Sequence, residues 1–215
     1  MICAAMHHTF AGHSLPVPPR EALLSVVGLS LRECFEVLGE GQAGFPVLSL
    51  AEGYKAAFGD LRLSGEHEEP LYPGAALAIE ALSARPEVLL GMATGKSQKG
   101  ARGVLERNGW LARFVTIQTA EDAPSKPHPE MVLAAMREAG VGPADTVMVG
   151  DTRYDIEMAL AAGTAPLGVS WGYHPAGVLR DAGALAVLED FSGLVPELER
   201  LWGPSPKTPG RPAVV

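Results

Sequence analysis

The stretch Val147–Gly163, VMVGDTRYDIEMALAAG, changes character twice. A short apolar, β-branched run closes on Gly150-Asp151, a second acid follows at Asp155, and an Ala-rich segment continues to Gly163. The first part reads as a buried strand and the last as a helix ended by glycine. Two carboxylates at such a junction have a plain structural use, because acids near a helix N-terminus gain about 0.3–1 kcal/mol. They also have a chemical use. A hard divalent cation such as Mg²⁺ takes one or two carboxylates, substrate oxygens and retained water.

The same alternation repeats on either side. Upstream, VLLGMAT (Val88–Thr94) and FVTIQT (Phe114–Thr119) read as strands. Each is followed by a helical stretch: QKGARGVLERNG, closed by Asn108-Gly109, and HPEMVLAAMREAG, with Pro129 near its start and Gly140 at its end. Downstream come a strand in APLGVSWG and a short one in LAVLED. Strands alternating with helices predict an α/β fold, a parallel sheet covered by helices on both faces. The beginning of the chain differs. Apolar positions in REALLSVV and LSLRECFEVL recur at three- and four-residue steps, with no convincing β-branched strand nearby. The expected division is therefore a helical unit over 1–67, a sheet-bearing core over 68–202, and an unstructured Pro-rich tail over 203–215, GPSPKTPGRPAVV.

Composition bounds the function. The chain has 215 residues, 47% hydrophobic and 20% charged, enough for a real core as one larger domain or a domain with an insert. A formal net charge of −8 leaves no basic stripe for a nucleic-acid partner. No apolar run approaches the roughly 20 residues that span a bilayer. The opening MICAAMHHTFAGHS lacks the basic start and uninterrupted apolar stretch of a signal peptide. Cys3 and Cys34 have neither metal-ligand spacing nor a disulfide framework, and are expected as buried free thiols of a cytoplasmic protein.

In open sheets of this kind ligands gather beyond the carboxyl ends of the strands. Three such ends carry polar groups suited to one task. Thr94-Gly95-Lys96 closes the first strand, Ser125-Lys126-Pro127-His128-Pro129 follows the second, and Gly150, Asp151 and Asp155 close the third. Together a hydroxyl, an ammonium and a carboxylate pair would hold a phosphoryl group and a Mg²⁺ ion. Taken singly they have ordinary readings: a turn at Thr94, a solvated loop residue at Lys126, and helix-terminal acids at Asp151 and Asp155. His7, His8, His13, His67 and His174 show no ligand spacing, and His128 reads as a loop residue. Trp171 and Tyr173 read as packing or cap-contact residues.

The ordered series ATGK, SKPHPE and VGDTRYDIEMA, followed by GVSWGYH and LRDAGALAVLEDFSGL, resembles the haloacid dehalogenase superfamily of phosphohydrolases, in its phosphoglycolate phosphatase-like branch. The resemblance covers nearly the whole chain. It implies a three-layer, Rossmann-like parallel sheet with a helical cap, the segment before residue 68, that shapes substrate choice and excludes water. It also implies a Mg²⁺-dependent hydrolase of small phosphomonoesters that passes the phosphoryl group to an aspartate and then to water. Thr94, with Gly95 and Lys96, would contact phosphoryl oxygens, and Lys126 would offset charge at the reacting centre. Asp151 would bind Mg²⁺, with Asp155 supporting the site through the metal's water shell or the loop. Gly150-Asp151 matches the metal-using phosphatase form of the motif better than the dehalogenating one.

One part of the family pattern is missing. Its first motif, Asp-x-Asp-Gly-Thr, supplies the nucleophile and acid/base at the end of a central strand, and the pattern occurs nowhere in the 215 residues. The sequence thus predicts a sheet with its first central strand absent and a chain inactive by itself. An in-frame upstream segment of about 15–25 residues ending in that motif is expected, from ordinary strand and loop lengths. The alternative is a non-catalytic relative that binds phosphate and metal only.

A nucleotide-binding reading is weaker. GMATGKS, Gly91–Ser97, has three residues between its glycines where a P-loop has four, and GEGQAG, Gly39–Gly44, follows a helical stretch instead of a strand.

Overall fold

The computed structural model describes residues 1–65, 70–203 and 213–215. The chain forms two compact units, Met1–Leu71 and Tyr72–Val215. The expected boundary after residue 67 falls in 66–69, outside the described residues.

Among the described residues the first unit holds four helices: α1 (Ile2–Gly12), α2 (Arg20–Ser25), α3 (Leu31–Leu38) and α4 (Val47–Leu63). Their apolar faces meet in a core of Met6, Phe10, Leu23, Phe35, Leu50 and Tyr54. The Phe10 ring lies 6.0 Å from Phe35 and 6.3 Å from Phe45, within the range of favourable aromatic pairs. Gly39–Gly44 is the connection between α3 and α4, not the start of a nucleotide-binding helix. Cys34 is buried and donates to the Val26 carbonyl at 3.1 Å, and burial pushes its thiol up to about 12. Cys3, expected to be buried, is half-buried, and its sulfur accepts from the Arg20 guanidinium at 3.4 Å.

The second unit alternates helix and strand: α5 (Ala75–Ser83), β1 (Leu89–Thr94), α6 (Gln98–Arg107), β2 (Phe114–Thr119), α7 (Glu130–Ala139) and β3 (Thr146–Gly150). It continues with α8 (Arg153–Ala161), β4 (Ala165–Val169), α9 (Ala176–Asp181), β5 (Ala186–Leu188), α10 (Leu194–Trp202) and β6 (Ala213–Val214). The described strands form one parallel sheet in the order β2-β1-β6-β3-β4-β5. Side chains of successive strand residues go to opposite faces. Leu90, Val147 and Leu167 pack against Ala78 and Leu82 of α5 and Leu194 and Leu198 of α10. On the other face Met148 packs against Met131 and Ala135 of α7 and Met158 and Ala159 of α8. The result is the expected three-layer α/β architecture. Among the described residues no helix is long and apolar enough to cross a membrane.

Two expectations need correction at the centre of the sheet. The position between β1 and β3, expected to be vacant, is taken by β6. The tail expected to lack structure supplies that strand at Ala213–Val214, while residues 204–212 lie outside the described residues. The physical reason lies in its last three residues. Val214 joins the apolar cluster under α5 and α10, and Val215 joins the one under α7 and α8. Burying each valine is worth about 1.5–3 kcal/mol.

Candidate active site

The turn after β3 is built around Asp155. Thr152 is the N-cap of α8 and its hydroxyl accepts the Asp155 N–H. In return Asp155 Oδ2 accepts the Thr152 N–H at 3.0 Å and its hydroxyl at 2.8 Å, a reciprocal capping box. The other oxygen, Oδ1, meets the Lys126 ammonium at 2.5 Å, with the two side chains only 7% and 4% exposed. Gly150 is required beside it, because a Cβ there would overlap the Asp155 side chain.

Lys126 comes from the loop after β2 and makes a second bond. Its ammonium donates to the Ala93 carbonyl at 3.0 Å, one residue before Thr94. A single buried cation therefore joins the end of β1 to the start of α8. This is the juxtaposition that the sequence motifs required. Thr94 closes β1, and its hydroxyl accepts the Lys96 N–H at 3.2 Å. Gly95 is half-buried and Lys96 is exposed. Ser97, the last residue of the P-loop-like string, caps α6 by accepting the Gly100 N–H at 3.1 Å. Its hydroxyl is thereby committed to the helix.

Asp151 lies beside this pair and is treated differently. The Tyr173 N–H donates to its Oδ2 at 2.9 Å, and the His174 N–H donates to its backbone carbonyl at 3.1 Å. Burial raises its pKa above the ordinary carboxylate value, and the neighbouring Asp155 charge adds to the rise. The Tyr173 N–H and Lys126 oppose it. A partly buried acid next to a second acid is a place where added positive charge is stabilising. Asp155 has both oxygens engaged, and Asp151 Oδ2 takes the Tyr173 N–H. Among the described residues no three His, Cys, Asp or Glu side chains gather as a metal cage.

These features match known proteins. Residues 1–169 fit the family described as haloacid dehalogenase-like hydrolase. The chain belongs to that family. The probable phosphatase IndB of Dickeya dadantii is 33% identical over 184 residues, 85% of this chain and 79% of that one. A phosphoglycolate phosphatase from Rhodospirillum rubrum is 31% identical over 200 residues, 88% of this chain and 80% of its own. The crystal structure of a hydrolase from Pseudomonas syringae has the same fold, with a TM-score of 0.80 at 23% identity over 94% of this chain and 91% of that one.

In this haloacid dehalogenase-like hydrolase, the loop with Tyr173, read from the sequence as a packing or cap-contact residue, backs Asp151. Gly172 has no room for a side chain, since a Cβ would overlap that of Asp151. His174 is buried, and its Nδ1 accepts the Arg153 N–H at 3.1 Å while its ring packs edge-on to Tyr154 at 5.7 Å. Its Nε2 is buried without a hydrogen-bond partner among the described residues. Tyr72 also feels the site, its phenol pushed up by burial and by the Asp151 charge. The available signal was a glycine followed by two ring residues just past the end of β4. It does not mark the support of a carboxylate from another strand.

Proposed function

We propose that this site is that of a Mg²⁺-dependent hydrolase of small phosphomonoesters, similar in substrate class to phosphoglycolate. The observation that carries the reading is the buried Lys126 ammonium, held at once by Asp155 and by the Ala93 carbonyl at the mouth of β1. Such a cation stabilises negative charge on a phosphoryl group seated against Thr94 and the Gly95-Lys96 turn. Preorganised charge of this type is worth about 2.7–4 kcal/mol to a transition state. Asp151 would hold the Mg²⁺, which supplies further neutralisation of phosphoryl oxygens. Asp155 acts through Lys126 by fixing its ammonium. The names of the relatives, a probable phosphatase and a phosphoglycolate phosphatase, support the same reaction class.

Turnover by phosphoryl transfer to a carboxylate requires an acid presented between Thr94 and Asp151. No Asp-x-Asp pair exists in these residues to provide one. For the 215-residue chain alone the expected behaviour is binding of phosphate and Mg²⁺ without hydrolysis. The presence of β6 between β1 and β3 favours that second reading for the isolated chain. Calorimetric titration with inorganic phosphate, with and without Mg²⁺, tests the site, and phosphate release from a panel of small phosphomonoesters tests turnover. Mg²⁺-dependent phosphate binding that is lost in Lys126→Met supports the proposal. Absence of any phosphate binding overturns it.

A further inference from the structure

Within the first unit the end of α1 meets the start of α4. His13 closes α1, and its ring bridges two groups: Nε2 lies 2.7 Å from the Ser49 Oγ and Nδ1 lies 2.8 Å from the Thr9 carbonyl oxygen. A carbonyl can only accept, so Nδ1 carries the proton of that bond. In the neutral ring Nε2 is then the acceptor of the Ser49 hydroxyl. The face of α4 is shaped to receive the ring. A Cβ at Gly53 would stand 3.0 Å from His13 Cε1 and 3.4 Å from Thr9 Cγ2, so the bare glycine, one turn after Ser49, gives the imidazole its seat. Ser49 is exposed and His13 half-buried, which leaves the pair open to a small molecule.

The two helix ends add a matched field. α4 begins after Pro46, with no side chain capping it. The Val47 and Leu50 N–H groups donate to the Phe45 and Pro46 carbonyls. Among the described residues this leaves the Leu48 and Ser49 N–H groups as the open donors of the first turn. Helical side chains lean toward the N-terminus, which carries the Ser49 hydroxyl toward those donors. α1 presents its carbonyl end at His13. Negative charge is favoured at the first of these poles and positive charge at the second.

A hydroxyl bonded to an imidazole, an imidazole oriented by a third group, and N–H donors beside the hydroxyl are the parts of an acyl-transfer centre. We propose that Ser49 is a nucleophile, with His13 as its base, that hydrolyses small unbranched carboxylic esters. The proposal stands on α1 and α4 and does not depend on the phosphatase reading. Ser49 Oγ adds to the ester carbonyl carbon while its proton passes to His13 Nε2. The bond to the leaving oxygen breaks, and that oxygen takes the proton from Nε2 and departs as the alcohol. Water then adds to the acyl-Ser49 and gives a proton to Nε2. The Ser49 oxygen leaves the carbon and recovers that proton. The sum is ester plus water to carboxylic acid plus alcohol.

The test incubates the full chain with p-nitrophenyl acetate. Nitrophenolate release reads turnover, and peptide mass mapping after a fluorophosphonate probe reads which side chain is the nucleophile. The parent should release more than one equivalent and carry the probe on Ser49. Ser49→Ala should lose both the probe and the release above that of lysine acetylation. His13→Gln should slow both by about 10²-fold, the lower end for a positioned general base. Gly53→Ala, which keeps both groups and crowds the ring, should slow them less. Mapping on the parent needs no variant, so a substitution that fails to fold does not shield the proposal. Probe confined to residues other than Ser49, equal rates in His13→Gln, equal release by Ser49→Ala, or release that stops at one equivalent would overturn it.

Discussion

The turns after β1 and β3 carry the two halves of the candidate site and are built on opposite plans. After β3 nearly every polar group is committed in advance. Asp155 serves Thr152 and Lys126, Thr152 serves Asp155, and the Gly172–His174 loop holds Asp151 from behind. After β1 the groups lie nearer the surface. Thr94 accepts one backbone N–H at 3.2 Å, and Lys96 stands at the surface. The difference separates two tasks. On the proposed function, fixed charge sits where reorganisation would be costly, and the more exposed turn is where the phosphate would be received.

Substitutions can break that contrast. The largest effect should come from Asp155→Asn, which removes the counter-charge of a buried ammonium. Loss of one partner of such a pair costs about 3–5 kcal/mol, read by urea unfolding. A variant as stable as the parent would show that the pair does not hold the turn. Gly172→Ala should come next, at about 1–3 kcal/mol, because the added methyl displaces Asp151. Its phosphate binding should lose Mg²⁺ dependence, measured by calorimetry.

Asp151→Asn should part stability from binding. A carboxyl whose pKa is raised in the folded protein is protonated in both states at low pH and carries no penalty there. The penalty grows as pH climbs through the unfolded value of 3.8 and is complete above the raised folded one. The metal-free parent should therefore gain stability on acidification toward that range, relative to Asp151→Asn, in denaturation at stepped pH. At neutral pH the variant should be no less stable than the parent, while its Mg²⁺ affinity falls at least tenfold. The smallest effect belongs to the turn after β1. Lys96→Ala should change stability by less than about 0.5 kcal/mol and weaken phosphate binding by about 0.2–1 kcal/mol.

The same contrast governs what could be read from the sequence. Strands β1 to β5 were legible because each is a short apolar run bounded by turn residues, and the turns after β1, β2 and β3 could be found by following those runs to their ends. Thr94, Lys126 and Asp151 were visible as residue types at those ends. The role of Asp155 was not decided there, since a helix-terminal acid looks the same whether it caps a helix, pairs with a lysine or supports a metal. The backing of Asp151 by Gly172 and His174 joins residues more than one element apart, and no local pattern encodes it. β6 was missed for a different reason. Two valines behind a proline-rich stretch have too little length for a periodicity, and only the apolar gap between β1 and β3 gives them a place.

The Lys126 ammonium also has a kinetic meaning. Its bonds to Ala93 and Asp155 span 33 and 29 residues of chain, and together they need β1, the loop after β2 and the start of α8 in place. Contacts of such separation are closed late in folding, after the loop entropy has been spent. An interaction absent from the transition state leaves the folding rate nearly alone and slows unfolding instead. Replacing Lys126 should therefore shorten the lifetime of the native state more than it delays its formation, read from unfolding and refolding rates in urea.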